Sequence, residues 1–240
     1  MLTFDYRGKV VIVTGVGRPG QIGHAVAMAF ARSGAQLVLC DVNATGVAER
    51  AKEFQALGLD ARPAAGDLTE PDVARHAVET AVRQYGRLDA LVNIAGGLTT
   101  FGPIDGVTVK AFDREIGINL KTAVVMSQAA IDELAKSHGS IVNVASIACF
   151  QPQASMAVYA AAKAGVAAFT RSLAVELQPR FVRVNAIAPA MVRTPENLGA
   201  AGAAATYVEM DHITQAVMFL ASAAAEAING LVLPISRGVV

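Results

Sequence analysis

Short apolar runs alternate along the chain with longer stretches whose apolar positions recur at helical spacing. The apolar runs fall at 9–14, 36–41, 60–65, 88–94, 140–145, 182–188 and 231–234. Most are continuous rather than alternating, the pattern of strands covered by helices on both faces of a parallel sheet. Helical patterns fill the intervals at 22–33, 44–57, 70–85, 111–137, 155–177 and 212–221. With right-handed crossovers, this β-α-β order predicts a Rossmann-like doubly wound parallel sheet of about seven strands with helices on both faces. No 20–50-residue period and no Pro/Ser/Gly-rich linker divides it, so residues 1–240 read as one domain. Pro63 refines the topology. A proline cannot donate to a strand ladder and belongs on an edge, and the order 3-2-1-4-5-6 makes the third strand an edge.

Two stretches break the pattern. Residues 199–206 (GAAGAAAT) are small-residue low complexity, which fits a mobile lid and an ordinary surface loop equally. The helix at 155–177 carries only Lys163, Arg171 and Glu176 as charges. A helix apolar nearly all round needs partners on several sides, which predicts a second subunit against it.

Composition narrows the class. Of 240 residues, 53% are hydrophobic and 17% charged, a balance that supports a large core rather than disorder. Lys+Arg 20 against Asp+Glu 20 leaves no basic surplus for nucleic acid or an anionic membrane. No apolar run approaches the roughly 20 residues of a membrane span. Residues 1–8 lack the order of a signal peptide. Cys40 and Cys149 make no disulfide framework, and four scattered histidines make no metal cluster. The expectation is a cytoplasmic α/β protein.

The first strand runs into a glycine-rich loop, Thr14-Gly-Val-Gly-Arg-Pro-Gly-Gln-Ile-Gly23, and then a helix. Gly15, Gly17, Gly20 and Gly23 permit tight turning and close backbone approach to a pyrophosphate, and the helix adds its positive N-terminal end. Arg18, Gln21 and Ile22 lie in the same loop. A glycine loop alone is also the signature of a plain strand-to-helix turn. The second strand, however, ends at Asp41, where an acid can hold the adenosine ribose hydroxyls. Its charge repels a 2′-phosphate and favours NAD over NADP, whereas Arg18 could pair with that phosphate.

The fifth strand ends at Ser146, and Tyr159 and Lys163 follow in the long helix. Their i, i+4 spacing puts phenol and ammonium on one face. A nearby ammonium is expected to lower the phenol pKa from about 10 towards neutrality, making a general acid/base. Ser146 lies at the carboxyl edge, where open α/β sheets bind ligands, and its hydroxyl could hold a substrate oxygen.

Taken together these marks resemble the short-chain dehydrogenase/reductase family over essentially the whole chain. Thr14-Gly15, Asp67-Leu68, Asn93-Ile-Ala-Gly96, Asn119, Ser146, Tyr159, Lys163, Asn185-Ala-Ile-Ala-Pro189 and Thr194 carry the resemblance. It implies that Asp67 and Leu68 flank the adenine and that Asn93, Ala95 and Gly96 line the cofactor. Pro189, Met191, Val192 and Thr194 would border the nicotinamide. Tyr159 would exchange the proton at the substrate oxygen, and Lys163 would also bind the nicotinamide ribose. Asn119 would hold a water joining Lys163 to solvent. A homotetramer, or a homodimer, is implied as well.

The chain departs from the family pattern in places. Gly15 to Gly23 spans two extra residues, with Arg18-Pro19 inside, and Gln21-Ile22-Gly23 resembles the loop of enoyl-thioester reductases, but the Tyr/Lys spacing is that of dehydrogenases and carbonyl reductases. Ile94 replaces an asparagine, Ala190 replaces a glycine, and the segment 234–238 (PISRG) lacks the usual Val-Asp-Gly-Gly. The resulting expectation is NAD(H)-dependent interconversion of a secondary alcohol and a ketone. Gly97, Leu98, Ala148, Phe150, Met156 and Met191 would form the pocket, an apolar wall suited to a small apolar or cyclic substrate. Two rivals stand beside it. One is a 3-oxoacyl-thioester (acyl carrier protein) reductase using NADPH, for which Arg114, Lys121 and Arg193 are the candidate basic patch. The other is a nucleotide-sensing or scaffold protein without turnover.

Overall fold

Each apolar run becomes a strand, and the seven form one parallel sheet in the order β3-β2-β1-β4-β5-β6-β7. The computed structural model describes residues 4–151 and 153–236; the expectations at residues 1–3 and at Arg237 and Gly238 lie outside the described residues. The strands are β1 Val10–Thr14, β2 Gln36–Asp41, β3 Ala61–Ala65, β4 Ala90–Asn93, β5 Ser140–Val144, β6 Arg183–Pro189 and β7 Val232–Ile235. The helices are α1 Ile22–Arg32, α2 Ala44–Ala56, α3 Pro71–Tyr85, α4 Val109–Ile116, α5 Thr122–Ser137, α6 Ala157–Leu177, α7 Pro195–Ala201 and α8 Met210–Ala221.

The continuous apolar strands have a simple cause. Val11 and Val13 of β1 feed one core with Val26 and Phe30 of α1, Phe54 of α2 and Val217 of α8. Val10 and Ile12 feed the opposite core with Ala77 of α3, Met126 of α5 and Leu173 of α6. Successive strand residues point to opposite faces, and here both faces are covered. Pro63 sits on β3 and pairs only across to Leu39 of β2, so the edge placement holds. Pro234 marks the other edge in the same way, opposite Ala188.

Local chemistry sets the helix ends. α3 opens with Pro71 and Asp72 and closes on Arg83 and a left-handed Gly86, the arrangement that suits both its free amides and its dipole. Arg183 donates to the carbonyls of Leu220 and Ser222 and so caps the end of α8. Asp89 accepts from the Val10 amide and pairs with Lys9 and Arg87, clamping the entry of β1 beside β4.

Two segments differ from the sequence expectation. The helix expected over 111–137 is divided: α4 ends at Ile116, a π-helical turn spans Gly117–Lys121, and α5 begins at Thr122. Within that turn the Asn119 side chain donates back to the Glu115 carbonyl at 3.0 Å, which intrudes on the regular ladder. The low-complexity stretch 199–206 is not wholly loop either, because α7 runs through Ala201. Tyr207, almost fully buried, closes it by donating to the carbonyls of Gly202 and Asn197.

Candidate active site

The carboxyl ends of β1, β2, β4, β5 and β6 converge on one edge of the sheet, and the sequence-predicted residues gather there. At β1, the Gly15 amide donates to Cys40 O and the Gly17 amide to Asp41 Oδ2 at 2.7 Å. The other Asp41 oxygen accepts the Asn43 amide at 2.9 Å, so the carboxylate is held by backbone on both sides. A Cβ at Gly17 would lie 2.8 Å from that carboxyl carbon, and one at Gly23 only 2.1 Å from Gly15 O. No room exists for either side chain. Among the described residues no side chain caps the first turn of α1 and no acid sits in it, which leaves its amides and dipole available to an anion. This cradle fits the pyrophosphate of a dinucleotide. Arg18 is drawn aside into an exposed ion pair with Glu196 of α7 at 2.8 Å.

Thr14 organises the next strand end. Its hydroxyl oxygen accepts the amides of both Ile94 and Ala95 at 2.9 Å, fixing the turn that leads to Gly96 and Gly97. Asn93 faces the interior instead and donates to Asn143 Oδ1, which is linked onward to Thr170 of α6. Its service is to tie β4, β5 and α6 together. Asp67 caps its own turn by accepting the Thr69 amide, while Leu68 is buried in the α3 core.

Ser146 follows β5 in extended conformation, and its Oγ accepts the Ala148 amide at 3.2 Å. Tyr159 and Lys163 lie one turn apart at the start of α6, with the Lys163 nitrogen 5.8 Å from the Tyr159 ring centroid. Lys163 is only 4% exposed and donates to Val144 O at 2.8 Å. Burial holds its ammonium down at about 8, partly offset by the negative potential of Glu115. The expectation that this cation brings the phenol down towards neutrality is not met. Burial pushes the Tyr159 phenol above its ordinary value, the neighbouring Ser146 hydroxyl pulls it back, and Glu115 and Cys149 add to the rise. The physical reason is that phenol and ammonium share one dry crevice, so desolvation disfavours both charged forms at once.

Asn119 closes the group. Its Oδ1 accepts the Gly97 amide at 3.0 Å, and its Nδ2 donates to Gly97 O at 2.9 Å and to Glu115 Oε1 at 3.1 Å. Both ends of the amide are thus engaged, and Oδ1, with one donor, keeps a second lone pair for the water expected there. Thr194 is buried and caps α7 through the Asn197 amide, next to Val192, while Pro189 ends β6. Of the expected pocket wall, Leu98, Phe150 and Met191 are each over 40% exposed around the mouth, whereas Ala148 is buried and contributes its backbone to Ser146.

Sequence reasoning missed Glu115 and Thr99. Glu115 is wholly buried, and nothing in the run Phe112-Asp-Arg-Glu115 distinguishes it from a solvated helical acid. It also missed His24, whose Nδ1 accepts the Gly20 amide in the lengthened glycine loop.

The fold and this constellation define a nicotinamide-dinucleotide-dependent oxidoreductase. Residues 9–205 match the short chain dehydrogenase family, and the chain belongs to it. A 3-oxoacyl-[acyl-carrier-protein] reductase of Thermotoga maritima is 33% identical, the match covering 97% of this chain and 98% of that protein. A 7α-hydroxysteroid dehydrogenase solved with NADH and 7-oxo glycochenodeoxycholic acid superposes with a TM-score of 0.90 at 29% identity, covering 98% of this chain and 96% of the other. A short-chain dehydrogenase of Burkholderia cenocepacia solved with NADP gives 0.88 at 31%, covering 97% and 98%. Relatives of this kind are dehydrogenases and reductases acting on CH–OH groups, and the chain is an enzyme of that type rather than a silent sensor. Among the described residues no helix is long and apolar enough to cross a membrane.

Proposed function

We propose that the chain, a single nucleotide-binding domain, interconverts a small apolar or cyclic secondary alcohol and its ketone with NAD(H). The observation that carries this reading is the convergence of Ser146, Tyr159 and Lys163 on one strand edge with Asp41 beside the uncapped α1. The bound dinucleotide supplies the hydride acceptor or donor. Gly15, Gly17, Gly20, Gln21 and Ile22 hold its pyrophosphate; Asp41 holds the adenosine ribose, Asp67 and Leu68 flank the adenine, and Ala95 and Gly96 line the cofactor. Pro189, Met191, Val192 and Thr194 border the nicotinamide. Asp41 supports NAD because a fixed carboxylate there repels a 2′-phosphate, and Arg18, the candidate partner for that phosphate, is paired with Glu196.

In the oxidative direction the deprotonated Tyr159 oxygen takes the alcohol proton as the carbon gives up its hydride, and the carbonyl forms. Ser146 donates to the substrate oxygen and keeps it in line with the phenol. Lys163 binds the ribose hydroxyls and, while charged, stabilises the phenolate. In reduction the same proton returns from Tyr159 to the new alkoxide. Leu98, Phe150, Met156 and Met191 supply apolar contact, which supports an apolar substrate. Arg193 is engaged by Glu209 and stacks on Tyr207, so it is not free to meet an acidic carrier.

The relevant assay follows NADH and NADPH absorbance with a panel of cyclic and linear secondary alcohols, their ketones and a 3-oxoacyl thioester. We expect turnover of apolar cyclic substrates with NAD(H), at least about tenfold faster than with NADP(H). Preference for the thioester with NADPH would replace this reading with the reductase one.

A further inference from the structure

Glu115 has no part in the mechanism above, yet it is fully buried on α4, one turn before Asn119. Its carboxylate collects three donors. Asn119 Nδ2 reaches Oε1 at 3.1 Å; the Thr99 amide reaches Oε2 at 3.0 Å, and the Thr99 hydroxyl donates to the same oxygen. Asn119 in turn holds Gly97 by both its carbonyl and its amide. A Cβ at Gly96 would come within 2.6 Å of Asn119 Oδ1, so the turn and the asparagine are packed in contact. Farther along, the Gly102 amide donates to Ser155 O. The segment 97–102, which presents Leu98 at the pocket mouth, is thereby fastened at two points: to Glu115 and Asn119 at one end, and beside α6 at the other.

Burying a carboxylate is costly unless several donors meet it. An apolar residue would fill the same space without that demand, so packing alone does not explain an acid here. What an acid provides is a group that only accepts, facing three groups that donate. A glutamine would turn an amide nitrogen towards Asn119 Nδ2 or towards Thr99, donor against donor. The titratable groups that feel this carboxylate are Lys163 and Tyr159 of α6; its negative potential supports the charged form of Lys163 and opposes that of Tyr159.

We propose that Glu115 is a positioning residue that locks the substrate wall 97–99 to the π-helical turn carrying Asn119, so that substrate affinity and the proton-transfer group are set by one buried carboxylate. The proposal rests on the alcohol–ketone reading above and adds to it a residue that touches neither substrate nor cofactor.

The test compares wild type, Glu115→Gln, Glu115→Asp and Thr99→Val in alcohol oxidation at saturating NAD. Thr99→Val removes only the hydroxyl half of the clip at an exposed position; we expect its KM for the alcohol to rise about fivefold while kcat changes much less. Glu115→Gln should raise KM by at least as much. It should also move the pH midpoint of alcohol oxidation down by about half a unit or more, because a negative charge facing Tyr159 is gone. Glu115→Asp keeps the charge and should restore the pH midpoint without restoring KM. Unaltered KM and pH midpoint in Glu115→Gln would overturn the proposal, as would activity lost only in proportion to unfolded protein. Amide exchange at Gly97 and Thr99 reads the clip without turnover: about tenfold faster exchange in Glu115→Gln supports it, and unchanged exchange refutes it. If no alcohol or ketone is turned over by wild type, the parent reading fails, and the exchange result alone decides whether Glu115 locks this wall.

Discussion

At the residue scale, the site is governed by what burial does to charge. Lys163 is a nearly inaccessible lysine held at about 8, where an exposed one titrates near 10.5. Its lowered pKa has a definite sign. Between about 8 and 10.5 the unfolded chain binds a proton the folded chain has released, so the contribution of Lys163 to stability improves as pH rises through that window; below it the folded state carries the full penalty of a buried cation. Lys163→Met should therefore stabilise the fold at pH 7 by a few kcal/mol at most, about 3 as the upper bound, while abolishing turnover. Thermal melts of both proteins check this, and a destabilised variant would contradict it. Tyr159, pushed upward by burial, must lose its proton to accept one from an alcohol. Oxidation should accordingly rise steadily from pH 7 to 9, while carbonyl reduction, which starts from the phenol, should not rise over that range. Asp41 gives the third residue-scale expectation. Asp41→Asn keeps an acceptor for the Gly17 amide but removes the charge, and the preference for NAD over NADP should fall by about tenfold in kcat/KM.

At the scale of elements, strands and glycine turns were largely readable in the sequence, and the π-helical turn was not. Strand runs are visible because covering both faces forces every position in a run to be apolar; Val10 to Val13 show this directly. Gly23 is visible because no other residue fits 2.1 Å from a backbone oxygen. The insertion in 117–121 leaves no such trace, since the Asn119 amide that bonds back to Glu115 O one turn earlier is also held by Gly97, a distant partner that local spacing does not reveal. Glu115 was hidden for the same reason: helical spacing gives an acid no mark of being buried. The raised phenol of Tyr159 was misjudged because spacing reports proximity to Lys163 but not the dryness they share. One element-scale prediction is independent of chemistry. Asp89→Ala removes the acceptor of Val10 N–H and the partner of Lys9 and Arg87 at the far end of the sheet. It should cost about 2–3 kcal/mol in denaturant melts and leave kcat/KM of the folded enzyme unchanged.

At the scale of the molecule, the parallel sheet places five strand ends on one edge and so assembles a site from residues 14 to 194 without any local cluster. The long α6 serves this site with its inner face, while alanines at 161, 164 and 168 and the exposed Val175 line the outer one. We propose that outer face as the surface on which a homotetramer or homodimer closes, and Ala168→Glu should reduce the mass seen by light scattering; a wild-type monomer would contradict the assembly.

The central claim is that Tyr159 moves the proton while neighbouring residues hold the dinucleotide. Its most direct test measures NADH binding by fluorescence and turnover by absorbance on the same preparation of Tyr159→Phe. The account predicts NADH affinity within a few-fold of wild type and turnover reduced by about a hundredfold to ten-thousandfold. Turnover near the wild-type rate with NADH bound would contradict it.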